Sequence, residues 1–414
     1  MRTVEEHLAA VLAAAGPLPP VRLSLDEAAG LVAADGLVAL VDLPGFDNSA
    51  MDGYAVRAAD VAAASAQAPV RLPVVADLAA GDPAGRPVGP GEAVRIMTGA
   101  PLPAGANAVV KVEDTDAGMP VVAVLAPAPV GCAVRLRGED LTAGRPVLAP
   151  GEVLDPCRLA LLAASGHADV RVHPRPRVAV LSTGAELVAA GMPLAPGQIH
   201  DSNSHLLAAA VTAAGGRTAY RGCVGDRPEQ VRETLERLAG IADVIITSGG
   251  VSMGVHDVVK AVLRDSGEVD FVQVAMQPGK PQGVGVLRAP DGRTVPFLGL
   301  PGNPVSSFVS FVVFVRPLLR RLAGREPAVP PTVPGRLTAP LRSPGGRRQY
   351  ARATAVRASD GWDGWDVTPV AGQGSHFVAD LALAEALLVV PEEATGLPAG
   401  AILPAILLDG GDIP

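Results

Sequence analysis

Residues 243–257, DVIITSGGVSMGVHD, contain the stretch that decides the fold of this 414-residue chain. The run 243–247 is rich in Val and Ile, as is typical of a buried strand, and similar runs occur at 178–181 and 295–300. These runs alternate with helical patterns, so the sequence predicts a doubly wound sheet of parallel strands, which binds ligands beyond the carboxyl ends of its strands. The predicted helices cover residues 204–214, 228–238, 258–263 and 305–322.

The loop after the strand at 243–247 is the first candidate binding site. Three of its residues are glycine, and a backbone without Cβ atoms can form a cradle whose free N–H groups point at an anion or a flat polar ring. Asp257 ends the loop and either ligates a metal ion or caps the next helix. The candidate binding residues of this loop are Ser248, Gly249, Gly250, Ser252 and Gly254.

Polar residues also follow the other two strands. Glu186 comes soon after the first strand, where it either faces a ligand or, with Thr183, begins a helix. After the third strand, Asn303 as N-cap and Pro304 at the first helical position open a helix whose N–H groups form a further anion site. Pro301 belongs to the same loop.

Asp226 and Lys280 lie in connecting loops. Asp226 and Glu229 have the spacing of a capping box, so the residues alone favour a structural role for Asp226. Lys280 is one of only three lysines among 34 basic residues, and Pro278 and Pro281 flank it. The two prolines make a rigid support for a point charge directed at an oxyanion.

The composition excludes several classes of protein. Hydrophobic residues make up 49% of the chain, which excludes a disordered protein, and the length predicts roughly two to four domains. A net charge of −8 and an aromatic content of 3% argue against a nucleic-acid partner. The longest apolar run, 305–315, is too short to span a bilayer, and the acidic N-terminus is unlike a signal peptide. A cytoplasmic protein with no membrane partner is therefore expected.

The remaining segments predict smaller units. Capping boxes at Thr3 with Glu6 and at Ser24 with Glu27 predict two short helices before Pro44. Short apolar runs that alternate with Gly and Pro turns predict a small β domain over residues 46–139 and a second one after residue 332. The three cysteines lack the spacing of a disulfide framework or a zinc site.

Seven motifs occur along the chain in the order seen in the MoeA family, the molybdopterin molybdenumtransferases that include the E domain of gephyrin. The chain resembles this family over nearly its whole length. The motifs are NSAMDGYA (48–55), MTGAP (97–101), GED (138–140), STGAEL (182–187), SGGVSMG (248–254), PGKP (278–281) and LPGNPVS (300–306).

The resemblance implies both a fold and a reaction. Members of the family insert molybdenum from molybdate into adenylylated molybdopterin and release AMP, in a Mg²⁺-dependent late step of molybdenum cofactor synthesis. They are elongated homodimers, and a molybdopterin adenylyltransferase and apo-molybdoenzymes are expected partners. The implied α/β multidomain fold has a MogA/MoaB-like doubly wound domain (176–326), an inserted β domain (46–139), a C-terminal β domain (327–414) and a dimerisation domain split between 1–45 and 140–175.

The resemblance also assigns site residues, and it promotes Asp226 from helix cap to site candidate. The implied molybdate-binding residues are Lys280, Pro281, Arg347 and Ser375. The implied catalytic positions are Asp52, Thr98, Asp140, Glu186, Asp226 and Asp257, with Arg135 nearby, and the carboxylates of Glu186, Asp226 and Asp257 would hold Mg²⁺. Because Asp52 and the last domain are remote in sequence, a site completed across the dimer is expected.

The chain also departs from the family pattern. Gln273 and Gln277 stand where many members carry a basic residue, and Ala133 stands where many carry Asn. The loss of positive charge beside Lys280 leaves open a paralogue that serves tungstate. Two other functions are weighed against the molybdenumtransferase: adenylylation of molybdopterin by ATP, as in stand-alone Mog-type domains, and non-catalytic pterin binding or scaffolding.

Overall fold

A computed structural model describes residues 1–251, 257–264 and 268–408. Helix α1 (Val4–Ala13) begins with the predicted capping box, in which the Glu6 N–H donates to Thr3 Oγ1 at 3.1 Å and the Thr3 N–H donates to the Glu6 carboxylate at 2.9 Å. The buried side chains of Val4 and Val11 join the apolar core of the α/β domain. Helix α1 therefore packs on that domain and not on the short strands that follow it.

The second predicted helix, after Ser24, is wrong. The chain forms strands β1 (Val21–Ser24), β2 (Val32–Ala33) and β3 (Leu37–Val38). The Glu27 N–H does donate to Ser24 Oγ at 3.4 Å, but this bond closes a turn, and Gly30 then adopts a φ of +73°. Pairing of β1 and β2 with a strand at residues 169–173 outweighs the local capping signal, because tertiary context overrides weak propensities.

The inserted β domain is present as expected. Its strands are β4 (Asn48–Ser49), β5 (Gly53–Val56), β6 (Val70–Leu78), β7 (Ala93–Ile96), β8 (Ala108–Lys111), β9 (Val121–Val124) and β10 (Val134–Arg135). Five of them form one sheet in the order β8-β5-β7-β6-β9, while β4 pairs with β10. Tyr54 is fully buried in this domain and donates its hydroxyl to the Gly118 carbonyl at 3.1 Å.

The segments on either side of the inserted domain form one unit. After the insertion come β11 (Pro146–Leu148), α2 (Pro156–Ala164) and β12 (Asp169–His173). Strand β12 lies between β1 and β2, and β11 pairs with β3, so the two segments share a sheet and an apolar core. The domain boundaries given above remain predictions.

The α/β domain contains the predicted strands and helices. Its strands are β13 (Arg177–Thr183), β14 (Leu187–Val188), β15 (Ile199–His200), β16 (Arg217–Val224), β17 (Val244–Ser248), β18 (Val269–Gln273), β19 (Met276–Gln277), β20 (Pro281–Arg288) and β21 (Thr294–Leu300). Its helices are α3 (Asn203–Ala213), α4 (Pro228–Ile241), α5 (Val258–Arg264), α6 (Pro304–Ser310) and α7 (Arg316–Leu322).

The main sheet of this domain has the order β16-β13-β17-β21-β20-β18. The first four strands run parallel to one another, as predicted. Strand β20 pairs antiparallel with both β21 and β18, and β18 forms the edge of the sheet. Apolar cores lie against both faces, which confirms the doubly wound arrangement. Since β13, β17 and β21 are adjacent and parallel, their carboxyl ends meet at one edge of the sheet.

The predicted helix over residues 305–322 is continuous but changes its winding. A π-helical turn, Phe311–Val315, joins α6 to α7. Pro317 lies at the start of α7 and has no N–H to donate to the carbonyl four residues earlier, which accounts for the local widening. Within the described part of the chain, no helix is both long enough and apolar enough to cross a membrane.

The C-terminal β domain is a closed barrel joined to the α/β domain. Its elements are β22 (Val333–Leu337), β23 (Leu341–Arg342), β24 (Arg348–Arg357), β25 (Trp365–Pro369), α8 (Val378–Ala382), β26 (Ala386–Val390), β27 (Gly396–Leu397) and β28 (Ile402–Leu407). The barrel runs β24-β25-β22-β28-β26 and back to β24. Strand β19 of the α/β domain adds to β24, with Met276 opposite Arg348 and Gln277 opposite Gln349.

His7 is a buried titratable group in α1. Its ring packs edge-on against Phe314, with ring centroids 4.6 Å apart, and its Nδ1 has no hydrogen-bond partner among the described residues. Burial, reinforced by the charge of Arg2, lowers the pKa of His7 from 6.5 to about 4. The unfolded chain therefore binds a proton between pH 6.5 and 4 that the folded chain does not, so stability falls as the pH falls through this window.

We expect replacement of His7 to flatten this acid dependence. Between pH 6.5 and 4, wild type should lose about 3 kcal/mol of unfolding free energy that His7→Met keeps. Urea unfolding of the α/β domain, followed at several pH values, measures the difference. Leu8→Met provides the control, since it changes a neighbouring side chain of α1 without removing a titratable group and should lose stability in parallel with wild type; parallel curves for His7→Met would contradict the prediction.

Ala133 adopts a backbone conformation that is unfavourable for alanine. Its φ is +50°, in the left-handed region that Asn tolerates better than other residues with a Cβ. We expect Ala133→Asn to raise the unfolding free energy by roughly 1 kcal/mol. Thermal unfolding measures the gain, and Ala62→Asn, at an exposed position with a φ of −57°, should give none. A lower melting temperature for Ala133→Asn would show that the position is not strained.

Candidate functional site

Two adjoining cavities lie at the carboxyl ends of the parallel strands. The first, which we call the carboxylate cavity, has a volume of about 730 Å³ and contains Glu186, Asp226 and Asp257. The second, the cationic cavity, has a volume of about 510 Å³ and contains Lys280 and Arg347. Gly302, Asn303 and His376 line both cavities and form their common wall.

The glycines after β17 allow neighbouring loops to approach each other closely. Gly249 and Gly250 have φ values of +93° and +70°, and a Cβ on Gly249 would lie 2.7 Å from the Thr183 carbonyl oxygen. The sequence predicted a free N–H at Gly249. This N–H is instead used inside the protein, where it donates to the Leu300 carbonyl at 3.0 Å. Strand β17 lies between β13 and β21, and the first N–H of the loop that follows it is used in a bond to the end of β21. Ser252 and Gly254 lie outside the described residues.

Ser248 and Asn203 hold the floor of the carboxylate cavity. Asn203 Nδ2 donates to Ser248 Oγ and to the Gly302 carbonyl, both at 2.7 Å. Ser248 Oγ also lies 3.0 Å from Ser307 Oγ, so the hydroxyl is already bonded inside the protein. Ser248 therefore positions the loop, whereas Asn203 Oδ1 is buried with no hydrogen-bond partner among the described residues.

The capping interpretation of Asp226 is wrong. Helix α4 begins at Pro228, which places Arg227 at the N-cap, and no side chain in the described structure caps it there. Asp226 lies one residue too early, and its Oδ2 instead accepts the Ala185 N–H at 3.1 Å. This bond ties the α4 loop to the loop that carries Glu186.

The carboxylates of the cavity have unequal surroundings. Glu186 lies over a glycine, since a Cβ on Gly184 would be 2.6 Å from Glu186 Oε1. Asp257 Oδ2 is buried, and no described group forms a hydrogen bond with it. A buried carboxylate oxygen without a partner is costly unless a cation compensates it. Asp257 therefore fits a cation ligand.

The described residues do not by themselves form a complete metal cage. Among the described residues, no three His, Cys, Asp or Glu side chains are grouped closely enough to hold one ion. This geometry is compatible with Mg²⁺, which usually binds one or two carboxylates and takes its other ligands from water and substrate phosphates.

Lys280 is held in place by buried contacts between β19 and β20. Gln282 is 1% exposed and donates from Nε2 to the Gly279 carbonyl and to Ser310 Oγ, both at 2.6 Å. In the described structure, neither the Lys280 ammonium nor the Arg347 guanidinium has a hydrogen-bond or ion-pair partner. Two unneutralised cations therefore line one small cavity.

The opening of α6 joins the sheet domain to the barrel. Asn303 occupies the predicted N-cap position, but its Nδ2 donates to Ser375 Oγ at 3.0 Å instead of its oxygen capping the helix. Pro304 has no N–H, and the Val305 N–H donates to the Ser375 carbonyl at 3.2 Å. These bonds connect the α/β domain to the barrel, so the opening of α6 does not form the predicted anion site. The Asn303 bond occupies a lone pair of Ser375 Oγ and leaves the hydroxyl hydrogen to donate elsewhere.

A second group of predicted residues lies apart from the cavities. The Thr98 N–H and hydroxyl both donate to Asp52 Oδ1 at 2.7 Å, and these bonds lower the pKa of Asp52 below its ordinary value. Arg135 lies on β10, and the Asp140 N–H donates to the Leu43 carbonyl at 3.0 Å. These four residues are all described, and none of them lines either cavity.

The sequence analysis missed several residues of the site. Asp201 is buried and accepts hydrogen bonds from the Ser182 hydroxyl at 2.8 Å and the Ser204 N–H at 3.0 Å. Asp201, Asn203 and His376 all line the carboxylate cavity. The polar run of residues 201–204 at the start of α3 was the available signal. His376 gave no comparable signal, because the barrel brings it to the cavity.

Fold and site together define an α/β protein with two cavities at the carboxyl edge of its parallel strands, the place where proteins of this class bind their ligands. Three family models match successive parts of the chain: the MoeA N-terminal region (domain I and II) at residues 2–166, a probable molybdopterin binding domain at 179–321, and the MoeA C-terminal region (domain IV) at 334–408.

Full-length relatives agree with these matches. Molybdopterin molybdenumtransferase 2 of Mycobacterium tuberculosis is 45% identical over 407 residues, covering 97% of this chain and 98% of the relative. The molybdopterin molybdenumtransferase of a Nostoc species is 39% identical, covering 91% and 86%. A solved structure of the molybdopterin biosynthesis MoeA protein from Pyrococcus horikoshii has a TM-score of 0.82 at 33% identity and covers 99% of both chains. The chain belongs to the MoeA family, which confirms the resemblance seen in its motifs.

Proposed function

We propose that this chain is a molybdopterin molybdenumtransferase, which inserts molybdenum from molybdate into adenylylated molybdopterin and releases AMP. The full-length relatives with this enzyme name support the proposal. The observation that carries it is the common wall of Gly302, Asn303 and His376, because the proposed oxyanion site and the proposed site for a metal-bound phosphate would adjoin each other across it.

The cationic cavity is the proposed molybdate site. Lys280 and Arg347 supply the charge for a dianion, and the Ser375 hydroxyl supplies a hydrogen-bond donor. Pro281 and Pro301 line the remaining wall. Gln277 also lines this cavity, so the positive charge expected from the family pattern is reduced there and depends on the two cations that remain.

The carboxylate cavity is the proposed site for the adenylylated pterin and Mg²⁺. Asp257, Glu186 and Asp226 would hold the ion. The observation that favours this assignment is the buried Oδ2 of Asp257, which has no hydrogen-bond partner among the described residues. A bound Mg²⁺ would neutralise the charge that develops on the departing AMP phosphate. The close-packed backbone of Gly249 and Gly250 shapes the wall around the ligand.

The proposed mechanism is positioning combined with electrostatics. Lys280 and Arg347 hold molybdate against the common wall, and Asn203 and Ser248 fix the loop on the other side of that wall. The dithiolene sulfurs of the pterin would then lie beside the oxyanion, and no protein nucleophile is required.

A second copy of the chain is proposed to complete the site. Asp52, Thr98, Arg135 and Asp140 line neither cavity of their own chain, and a partner chain would bring them there. Exposed apolar side chains of the split domain and of the adjoining ends of the inserted domain support a homodimer. They are Val38, Leu40, Val41, Phe46 and Leu136, and each is between 45% and 57% exposed. We place the enzyme in the cytoplasm, between an adenylyltransferase that supplies its substrate and apo-molybdoenzymes that accept its product.

The activity itself is testable with the purified protein. With molybdate, Mg²⁺ and adenylylated molybdopterin, wild type should release AMP, and Asp257→Asn should need at least about tenfold more Mg²⁺ for half-maximal release, because a charged ligand is lost. Glu236→Gln, at an exposed position on α4 that lines neither of the two cavities, should leave the Mg²⁺ requirement unchanged. Absence of AMP release above background would refute the proposed function.

The molybdate site can be tested without the pterin. Lys280→Ala should weaken molybdate binding about 10- to 100-fold, as expected when a charge-assisted hydrogen bond is lost. Isothermal titration calorimetry with molybdate alone measures the affinity. Arg288→Ala, which removes an exposed cation at the opposite end of β20 from Pro281, is the matched control and should bind as wild type does. Equal affinities for Lys280→Ala and wild type would remove Lys280 from the site.

A further inference from the structure

Arg352 on β24 is a buried cation whose charge is not neutralised by an adjacent carboxylate. It is 1% exposed, and no ion pair to it occurs within the described residues. Burial lowers the pKa of Arg352, and Asp380 opposes this only from a distance. A buried guanidinium is costly unless all its hydrogen-bond donors are used, so the identity of its partners indicates what the residue does.

The partners of Arg352 are backbone carbonyls of a single loop. Its Nη1 donates to the Phe377 carbonyl at 2.9 Å, and its Nη2 donates to the carbonyls of Gly372 and Gly374, the latter at 3.1 Å. The Gln373 side chain adds a second set of bonds, to the backbone of Arg352. Its Oε1 accepts the backbone N–H at 3.2 Å, and its Nε2 donates to the backbone carbonyl at 3.1 Å. Residues 372–377 are thus folded around one arginine.

The same loop forms a wall of the cationic cavity. Gln373, Gly374, Ser375 and His376 all line it. On the side of the α/β domain, this loop is bonded to Asn303 and Val305 only through Ser375. The loop is therefore bonded to Arg352 on the barrel side and to the start of α6 on the side of the α/β domain. The cationic cavity lies between this loop and Lys280.

We infer that Arg352 is a positioning residue for oxyanion binding: it fixes the loop that presents the Ser375 hydroxyl and so sets the width of the cationic cavity. This inference rests on the proposed molybdate site. Arg352 does not touch the anion. The planar guanidinium distributes its donors among three separated carbonyls, which the single ammonium of lysine cannot reproduce with the same spacing.

The role predicts a specific kinetic pattern. Arg352→Lys should raise the molybdate KM about tenfold, while kcat and the KM for adenylylated molybdopterin change less than about threefold. Arg352→Met should raise the molybdate KM further, so that lysine acts as a partial rescue. A purely structural role would instead lower the amount of folded enzyme and leave both KM values unchanged.

Matched variants separate the two roles. Arg336→Met removes another barrel arginine, which pairs with Asp360 and Asp366 at the surface, and it should leave the molybdate KM unchanged. If Arg352→Met does not fold, Gln373→Ala removes the second set of loop bonds without leaving a buried charge, and it should raise the molybdate KM severalfold. Thermal unfolding of every variant shows whether the barrel is intact.

Binding measurements keep this inference distinguishable from the proposed function. Calorimetry with molybdate alone should show about tenfold weaker binding for Arg352→Lys, whether or not AMP is released. Wild type that binds molybdate but releases no AMP would refute the transferase activity and leave the positioning role supported by the affinity loss. Folded Arg352→Lys with wild-type molybdate affinity would overturn the positioning role.

Discussion

The parallel pairing of β13, β17 and β21 is the constraint on which the site depends. Because adjacent parallel strands end at the same edge, the loops that carry Glu186, Gly249 and Asn303 converge although they are far apart in the chain. Their backbones then contact each other, as in the bond from the Gly249 N–H to the Leu300 carbonyl. The barrel loop is attached to this edge through Ser375, so the cavities form only where two domains meet.

The common wall separates charges of opposite sign. On one side lie carboxylates suited to a cation, and on the other lie Lys280 and Arg347, which attract an anion. A net charge of −8 therefore does not conflict with anionic substrates, because the relevant field is local and its cations have no neutralising partners among the described residues. Under the proposed function, the cationic cavity would favour a dianion directly, whereas the carboxylate cavity would accept a phosphate only together with its Mg²⁺.

The sequence predicted the central strands β13, β17 and β21, the helices of the α/β domain and the family, because these follow from periodicity and from motifs in fixed order. It did not predict the neighbouring strands β16, β18 and β20. Local rules failed where tertiary contacts compete with them. Asp226 and Asn303 have the chemistry of helix caps, but their side chains bond to Ala185 and Ser375 instead. The role of Arg352 could not be foreseen, since an arginine in a chain rich in arginine gives no signal until the barrel encloses it.

Strand β19 has a consequence for how the chain can be divided. It belongs to the α/β segment by sequence, yet its hydrogen bonds are made with β24 of the barrel. A cut between the two domains would therefore separate paired strands and expose the edges of both, and such edges are sites of aggregation. For the same reason the barrel cannot swing away from the sheet without breaking main-chain bonds.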